Sequence, residues 1–240
     1  MSSPEKEQPL RAHLEELRRR LFIAALALVV GTAVAFVFHR QVLQVLIRPA
    51  AGTTFIFTEV TEMLGISMKV SIMGGLILAL PVIAYEVLMF VSPALTTKER
   101  RLIFLLVPGI VLAFVGGVAF GYFVLIPPGL RFLLNFDTDI ATPMIRMGNY
   151  VDFVVRLLFW IGVVFESPIF MATLARLGVV TYKTFAKWRR LAIVLAFVLS
   201  AAITPTFDPV NQTLVAVPIM ILYEVGIWLA WLTRRSKKPS

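Results

Sequence analysis

Apolar residues run through this chain in long blocks, separated by short segments that hold most of the charge. The blocks fall near residues 21–38, 64–91, 102–126, 151–174, 191–203 and 210–232. Each is apolar on all sides and rich in Leu, Ala and Val, without the period-two alternation of a barrel strand, so the pattern predicts six membrane-spanning helices. The fifth block has only 13 residues. At 1.5 Å per residue it rises about 20 Å against a hydrocarbon core of roughly 30 Å, so it must thin the bilayer or end inside it. Glu224 interrupts the sixth block late, so the last two spans are both expected to be short, with the turn at 204–209 drawn toward the membrane interior. The loops at about 39–63 and 127–150 have room for small interfacial helices.

Composition removes the soluble alternatives. Hydrophobic residues make up 59% of the 240, and charged residues only 15%, where a water-exposed domain needs about a quarter. There is no cysteine, hence no disulfide, thiolate metal site or thiol nucleophile. His13 and His39 flank the first block, so no shared metal site is expected, and no cofactor either. The net charge of +9 is explained by its distribution. Seventeen Lys and Arg lie before the first block, in the second–third and fourth–fifth connections and in the tail, against Arg40, Arg48, Arg131 and Arg146 in the other loops. The positive-inside rule then puts both termini in the cytoplasm, and the excess reads as a topology signal that also attracts anionic lipid, not as a nucleic-acid footprint. The expected organisation is a cytoplasmic amphipathic segment at 1–20, a six-span domain at 21–232 and a basic tail at 233–240. Arg18–Arg20 before an apolar run with Ala33-Val34-Ala35 imitates a cleavable signal, but four glutamates precede the run and it continues through Phe38, so it reads as a retained span.

Enzyme signatures are missing: there is no HExxH, GxSxG, Walker loop or dinucleotide glycine motif. Carboxylates remain. Leu10, Leu14, Leu17 and Leu21 form one stripe of a surface helix, in which Glu15 with Arg19 and Glu16 with Arg20 are i,i+4 pairs. That helix has a plain reading as a solvated amphipathic lead-in. Between spans two and three, Thr96 or Thr97 can cap the next helix with Glu99 in its first turn, again a complete structural account. The functional alternative is that Glu16 and Glu99, both on the cytoplasmic rim, each take a guanidinium in a bidentate fork. Glu166 lies about ten residues inside span four, at an insertion cost of roughly 2.5–3.5 kcal/mol, and should face protein or a wet cavity. Glu86 and Glu224 sit nearer the cytoplasmic ends and are expected to snorkel, while Asp152 is expected to pair with Arg156 one turn on. Gly117-Val118-Ala119-Phe120-Gly121 is a GxxxG match for helix packing.

Four motifs in order, His13-Leu14-Glu15-Glu16-Leu17-Arg18-Arg19-Arg20-Leu21, Pro93-Ala94-Leu95 with Glu99-Arg100-Arg101, Phe165-Glu166-Ser167-Pro168, and Thr204-Pro205 through Asp208 to Gln212, resemble the TatC family. The likeness extends from about residue 9 to 232. It implies an all-α integral membrane protein, a concave glove of six helices with the fifth and sixth short, in the cytoplasmic (inner) membrane. The implied role is capture of twin-arginine signal peptides of folded cargo, with no enzymatic activity and with export driven by the proton-motive force. Glu16, Glu99, Arg18, Arg101 and Phe90 match the signal-peptide site, and Glu166 matches an acidic residue inside the glove. Thr204 and Gln212 match polar positions that receive the membrane helices of TatA or TatB, in a receptor that assembles as a homo-oligomer. The hairpin is about one residue longer than the common pattern, with Asn211 where Ser is usual, which loosens the register of Gln212. A proton-coupled secondary transporter using Glu166 is the rival reading, though inverted repeats are not evident.

Overall fold

The computed structural model describes residues 10–91, 97–135, 144–204 and 208–233, and the side chains of 10–11, 91 and 97–105 lie outside that description. Helices dominate: α1 (Leu10–Val37), α2 (His39–Ile47), α3 (Glu62–Val91), α4 (Thr97–Phe120), α5 (Ile126–Asn135), α6 (Met147–Phe165), α7 (Ser167–Arg176), α8 (Tyr182–Lys187), α9 (Arg189–Ile203) and α10 (Pro209–Leu232). Two short strands, β1 (Phe55–Ile56) and β2 (Ile145–Arg146), pair in parallel, Phe55 opposite Ile145 and Ile56 opposite Arg146. Among the described residues five helical runs are long and apolar enough to span a membrane, which makes the chain a multi-pass membrane protein. The remaining expected span, α9, has 15 residues and rises about 22 Å. The sixth span departs from expectation. With 24 residues α10 is not short: glutamate is a good helix former, so the helix runs on through Glu224, whose carboxylate pairs with Arg189 at 2.7 Å.

Prolines account for the irregular backbone. Span three was expected to stop near residue 126, but the helical run continues to Asn135 through a π-helical turn at Gly121–Leu125. Pro127 and Pro128 carry no N–H, so the ordinary i→i−4 bonds to the carbonyls of Phe123 and Val124 cannot form, and the Ile126 N–H instead donates to Gly121. The expected fourth span is broken between α6 and α7. There Pro168 cannot give the Val164 carbonyl its i→i−4 bond, and backbone N–H groups at the break tighten onto Val163 O and Val164 O instead, that of Glu166 onto Val163 O at 3.1 Å.

The chain divides into two compact units, Met1–Phe38 with Ser71–Val111 and His39–Val70 with Leu112–Ser240. In the first, α1 and α3 cross with their backbones in contact. A Cβ on Gly31 would lie 2.6 Å from the Gly75 carbonyl oxygen, a Cβ on Gly75 would strike the Thr32 backbone, and one on Gly74 would meet Ala35 at 3.0 Å. Lipid supplies no hydrophobic drive for helices to associate, so close approach over small residues is what holds such a pair.

In the second unit α6 is the central helix. Val151, Val154, Leu157, Leu158 and Ile161 recur at helical spacing and are buried. The GxxxG match packs as expected: Gly117 faces Gly162 and Phe165, and Gly121 faces Leu158. Further along, α10 lies on α7 where Gly226 accommodates Met171, and Met171, Phe185, Ile227 and Ala230 form a buried cluster. The last turn of α2 has carbonyls with no helical donor. Tyrosines satisfy them, Tyr122 Oη donating to Val45 O at 2.6 Å and Tyr150 Oη to Leu46 O at 2.7 Å. Asp152 does not pair with Arg156: its partner is Lys69 on α3, at 2.5 Å.

Adding a methyl at Gly75 tests the crossing. Gly75→Ala is expected to cost about 1–3 kcal/mol through forced separation of α1 and α3, read as a lower thermal-unfolding midpoint in detergent. Gly116→Ala, whose Cβ meets nothing within 4 Å, should leave the midpoint unchanged.

Candidate functional site

The α1/α3 crossing acts as a ruler. Gly31 to Arg20 and Gly75 to Glu86 are equal lengths of antiparallel helix, so the two side chains arrive opposite one another. Arg20 bridges two carboxylates. Its Nε and Nη2 both donate to Glu16 Oε1, at 2.9 and 2.6 Å, and its Nη1 donates to Glu86 Oε2 at 3.0 Å. Glu86 therefore does not snorkel as expected: it is only 9% exposed and faces a guanidinium that approaches from another helix. A cavity of about 580 Å³ opens beside this bridge, lined by Glu15, Glu16, Arg19, Arg20, Tyr85 and Glu86 among others. Three carboxylates and two guanidiniums leave this lining one negative charge in excess. One turn before Glu16, the His13 ring stacks on Phe90, centroids 4.5 Å apart and planes inclined by 23°.

The other expected residues scatter. Arg18 is exposed on the far face of α1, outside the bridge. Glu99 and Arg101 fall in α4, but their side chains lie outside the described residues. Glu166 occupies the break between α6 and α7, with its carboxyl beside the Phe114 backbone. Its Oε1 is buried and has no hydrogen-bond partner among the described residues. Nearby packing is aromatic, with Phe165 and Phe120 rings 5.4 Å apart.

Thr204 and Gln212 both bond to the last turns of α9. Thr204 Oγ1 donates to Ser200 O at 2.8 Å, and Gln212 Nε2 reaches Phe197 O at 3.1 Å. Asp208 caps α10 by accepting from the Asn211 N–H at 2.7 Å and its side-chain amide at 3.1 Å. Asn211 is thus the buried amide, 3% exposed against Gly129 of α5, and Gln212 the one that ties α10 to α9.

Comparison with known proteins agrees with this arrangement. The sequence model of the family described as Sec-independent protein translocase protein (TatC) matches residues 12–218. The chain belongs to the TatC family. Among its relatives, the TatC of Aquifex aeolicus is 39% identical over 96% of this chain and 98% of its own length, and that of Carboxydothermus hydrogenoformans is 37% identical over 94% of each. A crystal structure of the twin-arginine translocase receptor TatC superposes with a TM-score of 0.83 at 38% identity, covering 93% of this chain and all of that one. A second, in the detergent DDM, gives 0.84 over 91% and 99%. TatC proteins are translocase components, so this one is a membrane subunit of a Sec-independent protein translocase.

Two groups of TatC residues in this chain escaped the sequence reading. The first is the Arg20–Glu86 contact, since the partners are 66 positions apart and only the α1/α3 register joins them. The second is a clasp around Glu62. Its Oε1 accepts the Gly148 N–H at 2.8 Å, and its Oε2 accepts the Thr58 N–H and Arg146 Nε, both at 2.9 Å, while Arg146 Nη2 reaches Glu59 at 2.7 Å. Hydrogen bonds from Arg146 to Glu59 and then Glu62 hold its guanidinium still further above its ordinary range. The only sequence signal was an acidic residue in the first turn of α3, which many helices carry.

The two unusual carboxylates should respond oppositely to deletion. Replacing Glu166 by Leu removes a buried oxygen with no partner among the described residues, while giving up the carboxyl's contact with the Phe114 backbone, and is expected to raise the unfolding midpoint in detergent, by about 1 kcal/mol of stability. Glu62→Ala, which orphans two backbone N–H groups and a guanidinium, should lower it. A fall for Glu166→Leu would mean that the carboxyl is bonded.

Proposed function

We propose that this TatC-family chain is the receptor subunit of a twin-arginine translocation system, with both termini in the cytoplasm of a cell whose inner membrane it spans. Glu16 and Glu99 hold the paired arginines of a cargo signal peptide. Arg18 and Arg101 flank them, and Phe90 packs beside the bound segment. The observation that carries this reading is that Glu16 lies in a cavity with a carboxylate in excess and there already accepts two N–H groups of one guanidinium. A carboxylate oxygen that accepts two N–H groups of one guanidinium can accept those of another. His13 stacked on Phe90 gives the apolar wall.

The membrane helices of TatA and TatB dock at the α9–α10 hairpin. Support comes from the shortness of α9, which rises about 22 Å, and from Thr204 and Gln212, whose polar groups bond to its last turns. Several copies assemble around a folded cargo, and the proton-motive force drives transfer.

Site-specific photocrosslinking of a twin-arginine signal peptide in membranes tests the receptor role. Lysine keeps the charge and loses the planar fork. At one fixed ionic strength, a Lys-Lys peptide should crosslink at least about tenfold less than Arg-Arg, about 1.4 kcal/mol of recognition. Glu16→Ala and Glu99→Ala should each reduce the Arg-Arg product sharply. Equal crosslinking of both peptides, with both alanine variants silent, would remove signal-peptide recognition from this site.

A further inference from the structure

Arg20 is a guanidinium already seated on a carboxylate that the receptor reading gives to the ligand. Its three side-chain nitrogens are all engaged: Nε and Nη2 converge on Glu16 Oε1, and Nη1 holds Glu86 Oε2. Neither end of the bridge is solvated freely, with 19% of the Arg20 side chain, 24% of Glu16 and 11% of Glu86 exposed. One guanidinium is thus shared between two carboxylates whose side chains are mostly covered, where a charge left unpaired is costly. Among the described residues the bridge is one cation short of one-to-one pairing.

From this we propose that Arg20 and Glu86 form an exchange pair that sets the arginine selectivity of the site, a proposal that rests on the receptor reading above. In the unoccupied protein Arg20 caps Glu16. When a ligand arginine takes Glu16, Arg20 releases Oε1 and is held by Glu86 alone, leaving two guanidiniums on two carboxylates with no charge uncompensated. Displacement requires an incoming group that, like Arg20, can set two N–H donors on one carboxylate oxygen. An ammonium offers a point charge without the planar pair of donors, so it cannot match what it would displace. Selectivity then comes from competition with a built-in arginine as well as from contact with Glu16. Glu86 is the residue that makes release possible, because without it a displaced Arg20 would be a buried cation with no partner in the bridge.

Fluorescent peptides with consecutive arginines or consecutive lysines before an apolar stretch, titrated onto the full chain in nanodiscs at fixed ionic strength, separate the possibilities. Wild-type protein should favour Arg-Arg by at least about tenfold. Arg20→Gln should tighten both peptides but Lys-Lys more, so that the ratio falls to about twofold. Glu86→Gln should weaken Arg-Arg binding about tenfold, of the order of one charge-assisted hydrogen bond. Arg20→Lys, which keeps the charge and is the variant to use if Arg20→Gln is not monodisperse, should also lower the ratio, to about threefold. If replacing Arg20 weakens both peptides, it merely supports Glu16. If it tightens both with an unchanged ratio, it acts only as a repelling charge. Either result, or a silent Glu86→Gln, overturns the exchange while leaving the receptor reading intact. Failure of wild-type protein to bind Arg-Arg would remove both.

Discussion

Hydrocarbon offers no hydrogen bonds, and nearly every irregular feature of this chain answers to that fact. Where consecutive prolines withdraw two donors, the helix widens into a π turn and carries on. Where α2 ends, tyrosine hydroxyls from α6 and the π turn take its last carbonyls. Glu62 gathers two backbone N–H groups and an arginine, Asp152 takes Lys69, and Glu224 takes Arg189 at 2.7 Å. Against this background the buried Oε1 of Glu166, with no partner among the described residues, is conspicuous. An acceptor kept in that state costs stability, and it sits where Pro168 interrupts the helix.

The α1/α3 pair shows how packing and electrostatics are coupled. Glycines at 31 and 75 let the two backbones touch, and the same closeness carried eleven residues along each helix brings Arg20 onto Glu86. Without the crossing, the charges near the end of α1 would be those of an ordinary solvated helix. The Glu16–Arg20 pair looks in isolation like a surface pair worth a few tenths of a kcal/mol. Adding Glu86 and a confining cavity turns it into a site with a charge ledger of its own.

Much of this was legible in one dimension. Hydropathy alone delimits the spans, because lipid imposes a long uniform apolar length on each helix, and the shortness of α9 is visible by counting. The GxxxG match at 117–121 also packs as its spacing implies. What could not be read is whatever depends on rotation and register between distant helices. Asp152 looked to Arg156 on its own helix but meets Lys69, Glu86 looked to solvent but meets Arg20, and Glu224 looked to solvent but meets Arg189 of α9. Motif resemblance pointed to both Arg18 and Arg20, and of the two it is Arg20 whose side chain has two carboxylate partners. Four residues in a row of the Leu17–Leu21 segment differ by 100° steps around the helix, and only the position of α3 decides which of the arginines points at a partner.

The π turn at Gly121–Leu125 carries one residue more than a straight α-helix would use for the same rise. An added residue advances everything after it by about 100° around the axis. The face of α5 that carries Ile126, Gly129 and Leu130 is buried only at its present azimuth, with Gly129 against Asn211 of α10. The run from α4 to α5 is therefore indexed like a key: shortening it by a single residue would leave the prolines as they are and turn that buried face out of its groove. Length, in this stretch, encodes orientation.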